Sequence, residues 1–214
     1  MTPPIGTAAS AIRRIDAAPR AADRFADHVD ELIVALTMAR SVCAEPVGRA
    51  AALIAGVLRH DGAVLTCGNG GSAAQAQHFA AELVGRMGAD RPALRATSLT
   101  ADAAVVTALG NDYGYDAVFA RQIEALGRPG DVLVAFSVSG RSSNVLRAID
   151  AAAGAGMATV LVTGASFAPT NADVVVGVPS PTTSYVQEIH LAVTHAVSEA
   201  VEVELFGGPA RAGS

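Results

Sequence analysis

The chain has 214 residues, and a hydrophobic content of 51% predicts that most of it folds around a substantial core. Its formal charge of −5 argues against a nucleic-acid-binding surface. Two cysteines, the lack of a long unbroken apolar run and the lack of a signal-peptide pattern favour a cytoplasmic protein that does not cross a membrane.

Helical periodicity begins after an N-terminal segment, residues 1–20, that we expect to be a disordered tail. Apolar residues recur every three or four positions from Ala22 to Leu58, and Pro46 predicts a boundary between two helices there. Residues 207–214 are expected to form a second tail. The sequence therefore predicts a single folded domain over residues 21–206.

Strands and helices alternate through the rest of the chain. Because the strands are apolar throughout and separated by helical segments, they predict a parallel sheet covered on both faces. The fold class is therefore α/β, a three-layer α/β/α sandwich with an N-terminal helical extension. Strands are expected at "GAVLTCG", "ALRATSL", "GDVLVAFSVSG", "ATVLVTG" and "ADVVVGVP". Helices are expected over residues 72–84, 103–109, 116–126, 143–153 and 184–204.

Two loops rich in glycine and serine follow predicted strands at the edge of the sheet where ligands bind in such folds. "CGNGGS" offers free backbone N–H groups at the start of a helix, with Ser72 as its N-cap. "SVSGRSS", residues 137–143, places four hydroxyls and Arg141 at a helix start that favours an anion. Either loop alone could simply cap a helix, but together they predict a phosphate or phosphosugar site.

One face of the first helix after the glycine loop carries three ionisable side chains at successive turns: His78, Glu82 and Arg86. The last predicted helix adds Gln187, His190 and His195. Such groups could coordinate Zn²⁺ or a similar cation, or move protons without a metal. A lone histidine on an alanine-rich helix is more often a structural residue of the interior or of an interface, and spacing alone does not choose between His190 and His195.

Longer stretches of the sequence resemble the bacterial phosphoheptose isomerases, which are sugar-isomerase (SIS) domain proteins. The resemblance runs with gaps from about Leu65 to Glu202, through "GNGGSAAQAQHFAAELVGR", "RPAL", "LGNDYGYDAVFARQIEALGRPGDVLVAFSVSGRSSNVLRA" and "VQEIHLAVTHAVSEAVE". It implies an aldose–ketose isomerase that converts D-sedoheptulose 7-phosphate to a D-glycero-D-heptose 7-phosphate of manno or altro type through a cis-enediol. It also implies a homotetramer with active sites at subunit interfaces and one Zn²⁺ per subunit.

The resemblance also assigns roles to individual residues. The acid/base pair falls on Glu82 and His195. The metal-binding positions are His78, Glu82, Gln187 and His195. The substrate-binding positions comprise both loops and three further polar side chains, namely Asn69, Gly70, Gly71, Ser72, Arg86, Asp112, Ser137, Val138, Ser139, Ser142 and Gln187.

The chain departs from the family pattern in three places that bear on substrate choice. The phosphate loop has Val138 where a threonine is usual, and Arg141 where an asparagine is usual. The last helix opens with Ser184 and Tyr185 where an acidic residue and an arginine are common. The segment after "VTG" is short and lacks the usual glycine-led helix.

An alternative from another class is a SIS-fold regulator of replication initiation, which binds an initiator protein and does not catalyse isomerisation. In that relative the residues equivalent to Glu82 and His195 are replaced. Their presence in this chain favours the enzyme.

Overall fold

The computed structural model describes residues 18–88 and 90–207, and this part of the chain begins with one long helix. Helix α1 runs over Ala18–Arg59 without interruption, so the helix boundary predicted at Pro46 is wrong. A proline inside a helix removes one backbone hydrogen bond and costs about 3 kcal/mol. Cys43 before it and Ile54 after it are buried in the same core. Packing on both sides of the proline therefore outweighs its local cost.

The two predicted tails, residues 1–20 and 207–214, lie mostly outside the described residues, because residues 1–17 and 208–214 are not described. Helix α1 begins at Ala18, so residues 18–20 are helical although the sequence predicts a tail there.

The sheet contains five parallel strands in the described part of the chain, in the order β2-β1-β3-β4-β5. The strands are β1 (Val64–Gly68), β2 (Ala96–Ser98), β3 (Val132–Ser137), β4 (Ala158–Gly164) and β5 (Val174–Val178). Their pairing confirms the predicted parallel sheet.

The remaining helices largely follow the sequence pattern. They are α2 (Gly71–Val84), α3 (Ala103–Tyr113), α4 (Ala120–Leu126), α5 (Ser143–Gly154) and α6 (Thr183–Phe206), with a 3-10 turn at Tyr115–Ala117. Helix α3 continues beyond its expected end at residue 109. It stops at Gly114, whose φ of 82° is a conformation that favours glycine. Residues 165–173, all of them described, contain no helix, as the short segment after "VTG" predicts.

Both faces of the sheet are covered by helices, because successive strand residues point to opposite sides. On one face, Val134 and Phe136 pack in a core with side chains of α1, α2 and α6. On the other face, Leu133 and Ala135 pack with side chains of α4 and α5. The three-layer α/β/α architecture is confirmed.

The sheet brings the two glycine- and serine-rich loops together. Strand β1 pairs directly with β3, and Gly68 at the end of β1 is opposite Phe136 near the end of β3. Because all strands are parallel, the loops that follow β1 and β3 leave from the same edge.

Helix α1 also carries a broad apolar surface. Among the described residues, Arg20–Arg59 is the one helix long and apolar enough to span a membrane by length and composition, with a mean hydropathy of 1.4. This differs from the expectation of no such run, although the core helix of a globular protein meets the same criterion. One face packs on the core, while Ile33, Val34, Met38 and Val42 are each at least half exposed.

Candidate active site

A cavity of about 270 Å³ lies at the carboxyl edge of the sheet, and we call it the serine pocket. It is lined from three directions: the start of α2, the loop between β3 and α5, and the start of α6. The lining residues are Asn69, Ser72, Phe136, Ser137, Val138, Ser139, Ser142, Thr183 and Gln187. The two predicted phosphate loops therefore share one cavity. Thr183, which the sequence reasoning missed, adds a hydroxyl-bearing residue from α6.

Two glycines shape the first wall of the serine pocket. Gly70 precedes α2 with a φ of 57°, which side-chain-bearing residues rarely adopt. A Cβ atom on Gly71 would lie 2.5 Å from Nε2 of Gln187, so a larger residue here would displace the end of the Gln187 side chain. Gly70 occupies the N-cap position, whereas Ser72 is buried within the first turn of α2. The predicted capping role of Ser72 is therefore wrong, although it does line the pocket.

The second wall is a loop organised by its own hydroxyls. Oγ of Ser137 accepts a hydrogen bond from the Gly140 backbone at 3.1 Å and donates one to Oγ of Ser142 at 3.3 Å. Oγ of Ser139 accepts the backbone N–H of Arg141 at 3.2 Å. Serine hydroxyls at the start of α5 form a site suited to an anion. The Arg141 side chain is exposed and is not among the lining residues.

An amide pair that sequence reasoning missed holds the two walls together. Asn69 and Asn144 donate to each other's carbonyl oxygens at 2.8 and 2.9 Å, and Tyr115 Oη donates to Asn69 Oδ1 at 3.0 Å. Asn144 is only 2% exposed. The signal in the sequence was a polar amide at a core position of α5, directly after the serine loop.

Three ionisable side chains from α2 and α6 meet outside the serine pocket. Nε2 of His78 lies 3.3 Å from Oε1 of Glu82 on the same face of α2. It lies 2.9 Å from Nε2 of His195 on α6. The three ligand atoms are within 4.8 Å of one another. We call His78, Glu82 and His195 the triad.

His190, the other candidate on α6, is a core residue. It is 0% exposed, and its ring centroid lies 6.2 Å from that of Phe136. Burial lowers the pKa of His190 to about 4, although the backbone of Thr163 acts in the opposite direction. His190 is therefore neutral near pH 7 and remote from the triad's face of the helix.

The triad can serve a metal ion or proton transfer. Two imidazole nitrogens and one carboxylate oxygen form a donor set that Zn²⁺ accepts. The same groups can move protons between substrate atoms. Gln187, the fourth predicted ligand, lines the serine pocket and lies against Gly71.

The triad and the serine pocket are supported by the same two helices. From Ser72 to His78 along α2 the rise is about 9 Å, and from Gln187 to His195 along α6 it is about 12 Å. An extended sugar phosphate has a comparable length. A substrate could therefore place its phosphate among the serines and its other end beside the triad.

Four predicted substrate-binding residues are not among those that line the serine pocket within this chain, namely Gly70, Gly71, Arg86 and Asp112. The two glycines adjoin the lining residues Asn69 and Ser72 at the start of α2, whereas Arg86 and Asp112 lie elsewhere. Helix α2 ends at Val84, so Arg86 does not continue the face of His78 and Glu82, and that expectation is wrong. Arg86 is exposed and donates to the carbonyl of Gly88 at 2.7 Å. Asp112 is exposed on α3 and accepts a hydrogen bond from Asn111 at 2.7 Å.

Comparison with known proteins assigns the chain to a family. The SIS domain model matches residues 24–164. A phosphoheptose isomerase of Neisseria gonorrhoeae is 44% identical over 191 residues, which cover 87% of this chain and 97% of that protein. The phosphoheptose isomerase of Akkermansia muciniphila is 50% identical over 147 residues, covering 68% of this chain and 78% of that protein.

Solved structures agree with this assignment. The phosphoheptose isomerase structure from Neisseria gonorrhoeae aligns with a TM-score of 0.77 at 44% identity, covering 84% of this chain and 97% of that one. The structure of a phosphoheptose isomerase from Francisella tularensis aligns with a TM-score of 0.81 at 32% identity, covering 85% and 97%.

Proposed function

The chain belongs to the SIS-domain family and, within it, to the phosphoheptose isomerases, and from this membership we propose its substrate and mechanism. It is a sugar phosphate isomerase. Its substrate is D-sedoheptulose 7-phosphate, and its product is a D-glycero-D-heptose 7-phosphate of manno or altro type. The observation that carries the proposal is the meeting of His78, Glu82 and His195 on the two helices that also line the serine pocket.

The serine pocket binds the phosphate. Ser72, Ser137, Ser139 and Ser142 surround the cavity, and α2 and α5 both begin beside it. Backbone N–H groups at helix starts and serine hydroxyls are the donors that phosphate oxygens accept. Asn69, which lines the cavity and is held by Asn144, contacts a sugar hydroxyl in this proposal. Arg86 and Asp112, by the family resemblance, are further sugar contacts.

Glu82 and His195 carry the proton transfers. The Glu82 carboxylate removes the proton from the carbon beside the carbonyl, which leaves a cis-enediol, and returns it to the neighbouring carbon. The His195 imidazole moves a proton between the two oxygens of the same pair of carbons, so that a ketose becomes an aldose. No atom is gained or lost. His78 holds both groups, because its ring contacts each of them.

A Zn²⁺ ion fits the triad by the chemistry of its donors, and His78, Glu82 and His195 would hold it. By the family resemblance, Gln187 would be a fourth ligand. When bound, it would stabilise the negative charge that develops on the substrate oxygens. The metal and the substrate proton would then compete for the same Glu82 carboxylate.

The enzyme works as a homotetramer in the cytoplasm, with active sites at subunit interfaces. The exposed apolar face of α1, which includes Ile33, Val34 and Met38, supports association because such patches are rarely left open. Helix α3, which carries Asp112, has apolar residues but none that is buried in one chain. Cys43 and Cys67 are both free thiols, which supports a reducing compartment.

An isomerase assay with sedoheptulose 7-phosphate, with and without added Zn²⁺, tests this proposal. We expect Glu82→Gln and His195→Ala to lower kcat by about 10²- to 10⁴-fold, the usual contribution of a general acid or base. His60→Ala is the matched control, because the His60 imidazole contacts the Gly56 carbonyl near the end of α1, and the variant should keep full activity. Full activity in Glu82→Gln and His195→Ala would refute the mechanism, and an inactive wild type would refute the substrate.

A further inference from the structure

A buried ion pair outside both the serine pocket and the triad connects the two helices that carry the triad. Nε of Arg91 lies 2.9 Å from Oε1 of Glu202, and the two side chains are only 3% and 9% exposed. Glu202 lies on α6, about two turns after His195. Arg91 lies in the connection from α2 to β2. We call this pair the Arg91–Glu202 clamp.

Arg91 closes the C-terminal end of α2. Its Nη2 donates to the carbonyl of Glu82 at 2.8 Å, and its Nη1 donates to the carbonyl of Leu83 at 2.7 Å. Both are among the last four carbonyls of a helix that ends at Val84, and such carbonyls have no partner within their own helix. A cation at this end also interacts favourably with the helix dipole. The clamp therefore holds the backbone of Glu82 directly.

Glu202 fixes the other side of the clamp. Its carboxylate accepts the backbone N–H groups of Met87 at 2.6 Å and Gly88 at 3.0 Å, besides the Arg91 guanidinium. Burial tends to raise the pKa of Glu202, but these hydrogen bonds and the charge of Arg91 outweigh it and lower the pKa. The carboxylate is therefore ionised and fully bonded at neutral pH.

A buried ion pair gives little net stability compared with well-packed apolar residues, because both charges lose their hydration. This pair forms hydrogen bonds to the helix end that carries Glu82 and is anchored on the helix that carries His195. Its geometry suits control of the distance between α2 and α6 at the triad.

We propose that Arg91 and Glu202 are positioning residues of the isomerase, which fix the last turn of α2 against α6 and thereby hold Glu82 in register with His195. The inference rests on the proposed roles of Glu82 and His195. Neither Arg91 nor Glu202 lines the serine pocket, so the two residues act through the triad.

Glu202→Gln is the principal test, because it keeps the shape of the side chain and removes its charge. Glu204→Gln is the matched control on the same helix, since Glu204 pairs with Arg59 at 3.9 Å on the surface, at 43% and 49% exposure. We expect Glu202→Gln to lower kcat about 10- to 100-fold, as loss of a partner that orients a catalytic group does, and to change KM less than about twofold. Glu204→Gln should retain wild-type values.

Arg91→Lys keeps the charge but loses the planar guanidinium that reaches both carbonyls of α2 and the carboxylate. We expect it to lower kcat with KM nearly unchanged, and it serves as the second variant if Glu202→Gln does not fold. Circular dichroism at the assay temperature confirms that each variant compared is folded.

Side-chain ¹⁵N spectra of the histidines give a readout that needs neither substrate nor metal. In Glu202→Gln the signals of His78 and His195 should shift, whereas those of His28 and His60 should stay in place. The proposal would be overturned if Glu202→Gln had the same kcat and the same histidine signals as Glu204→Gln. If the wild type does not convert sedoheptulose 7-phosphate, the proposed function fails, and the histidine spectra alone decide the positioning role.

Discussion

Nε2 of His78 and Nε2 of His195 lie 2.9 Å apart, although the two residues are separated by 117 positions in the sequence. At this distance one ring donates its proton to the other. A metal ion bound by both nitrogens would take the place of that shared proton. Protons and metal therefore compete for the same pair of atoms, as is general for histidine ligands.

Removal of one triad histidine should abolish tight metal binding. We expect His78→Ala to weaken Zn²⁺ binding at least about 100-fold, because it leaves only two of the three convergent ligands. Competition with a chromogenic chelator measures the affinity. His60→Ala serves as the control, and equal Zn²⁺ affinities in the two variants would contradict a metal site at the triad.

Two substitutions in the serine pocket should change substrate binding in opposite directions. Val138 lines the pocket, and Val138→Thr adds a hydroxyl that can donate to the phosphate, so KM should fall about 3- to 10-fold. Ser139→Ala removes a hydroxyl from the same loop, so KM should rise by a similar factor. Steady-state kinetics with kcat nearly constant would support phosphate binding there. A KM that moves in the same direction in both variants would count against it.

His190 should make the protein less stable in acid. Its native pKa of about 4 lies below the value of about 6.5 expected for an unfolded chain. Below about pH 6.5 the unfolded state therefore binds a proton at this histidine, whereas the native state does not. As the pH is lowered from about 6.5 to about 4, the free energy of unfolding falls by up to about 3 kcal/mol. Urea unfolding at pH 7.5 and pH 5 measures the loss. His190→Leu should reduce the difference between the two pH values, and an unchanged difference would refute this account.

Pro46→Ala should stabilise the fold. The substitution lets residue 46 donate a backbone hydrogen bond inside α1, and we expect a gain of about 1–3 kcal/mol in the free energy of unfolding. Thermal unfolding measures it. Glu45→Ala, a neighbouring exposed change, should stay within about 0.5 kcal/mol of the wild type. A Pro46→Ala protein no more stable than this control would show that the proline causes no strain in α1.

Local errors in the sequence interpretation have a common origin. Pro46 predicts a helix end, but core packing on both sides of it keeps α1 continuous. Serine is a residue type that often caps helices, which suggests Ser72, but Gly70, with its positive φ, occupies the N-cap position. Arg86 fits the spacing of a helical face, but α2 ends before it and Arg91 closes the helix end. In each case a tertiary contact or a backbone conformation overrides a local preference.

The sequence by itself determined the three layers, the succession of strands and helices along the chain, and the two loops that form the serine pocket. The periodicity of apolar residues, the positions of glycines and the apolar runs are each defined by a few neighbouring residues. They can therefore be recognised in the sequence without coordinates. His78 and Glu82, four residues apart, belong to this local class.

Spacing alone does not choose between His190 and His195 on α6. The family resemblance favours His195, and only the tertiary structure supplies the physical reason, because it brings His195 to His78. His190 and His195 are five positions apart and so lie on different faces of the helix. Packing directs His190 into the core beside Phe136 and directs His195 to His78 on α2. The Arg91–Glu202 clamp likewise could not be predicted from the sequence. Its two residues are far apart in the chain and meet only when α2 and α6 are packed on the same face of the sheet.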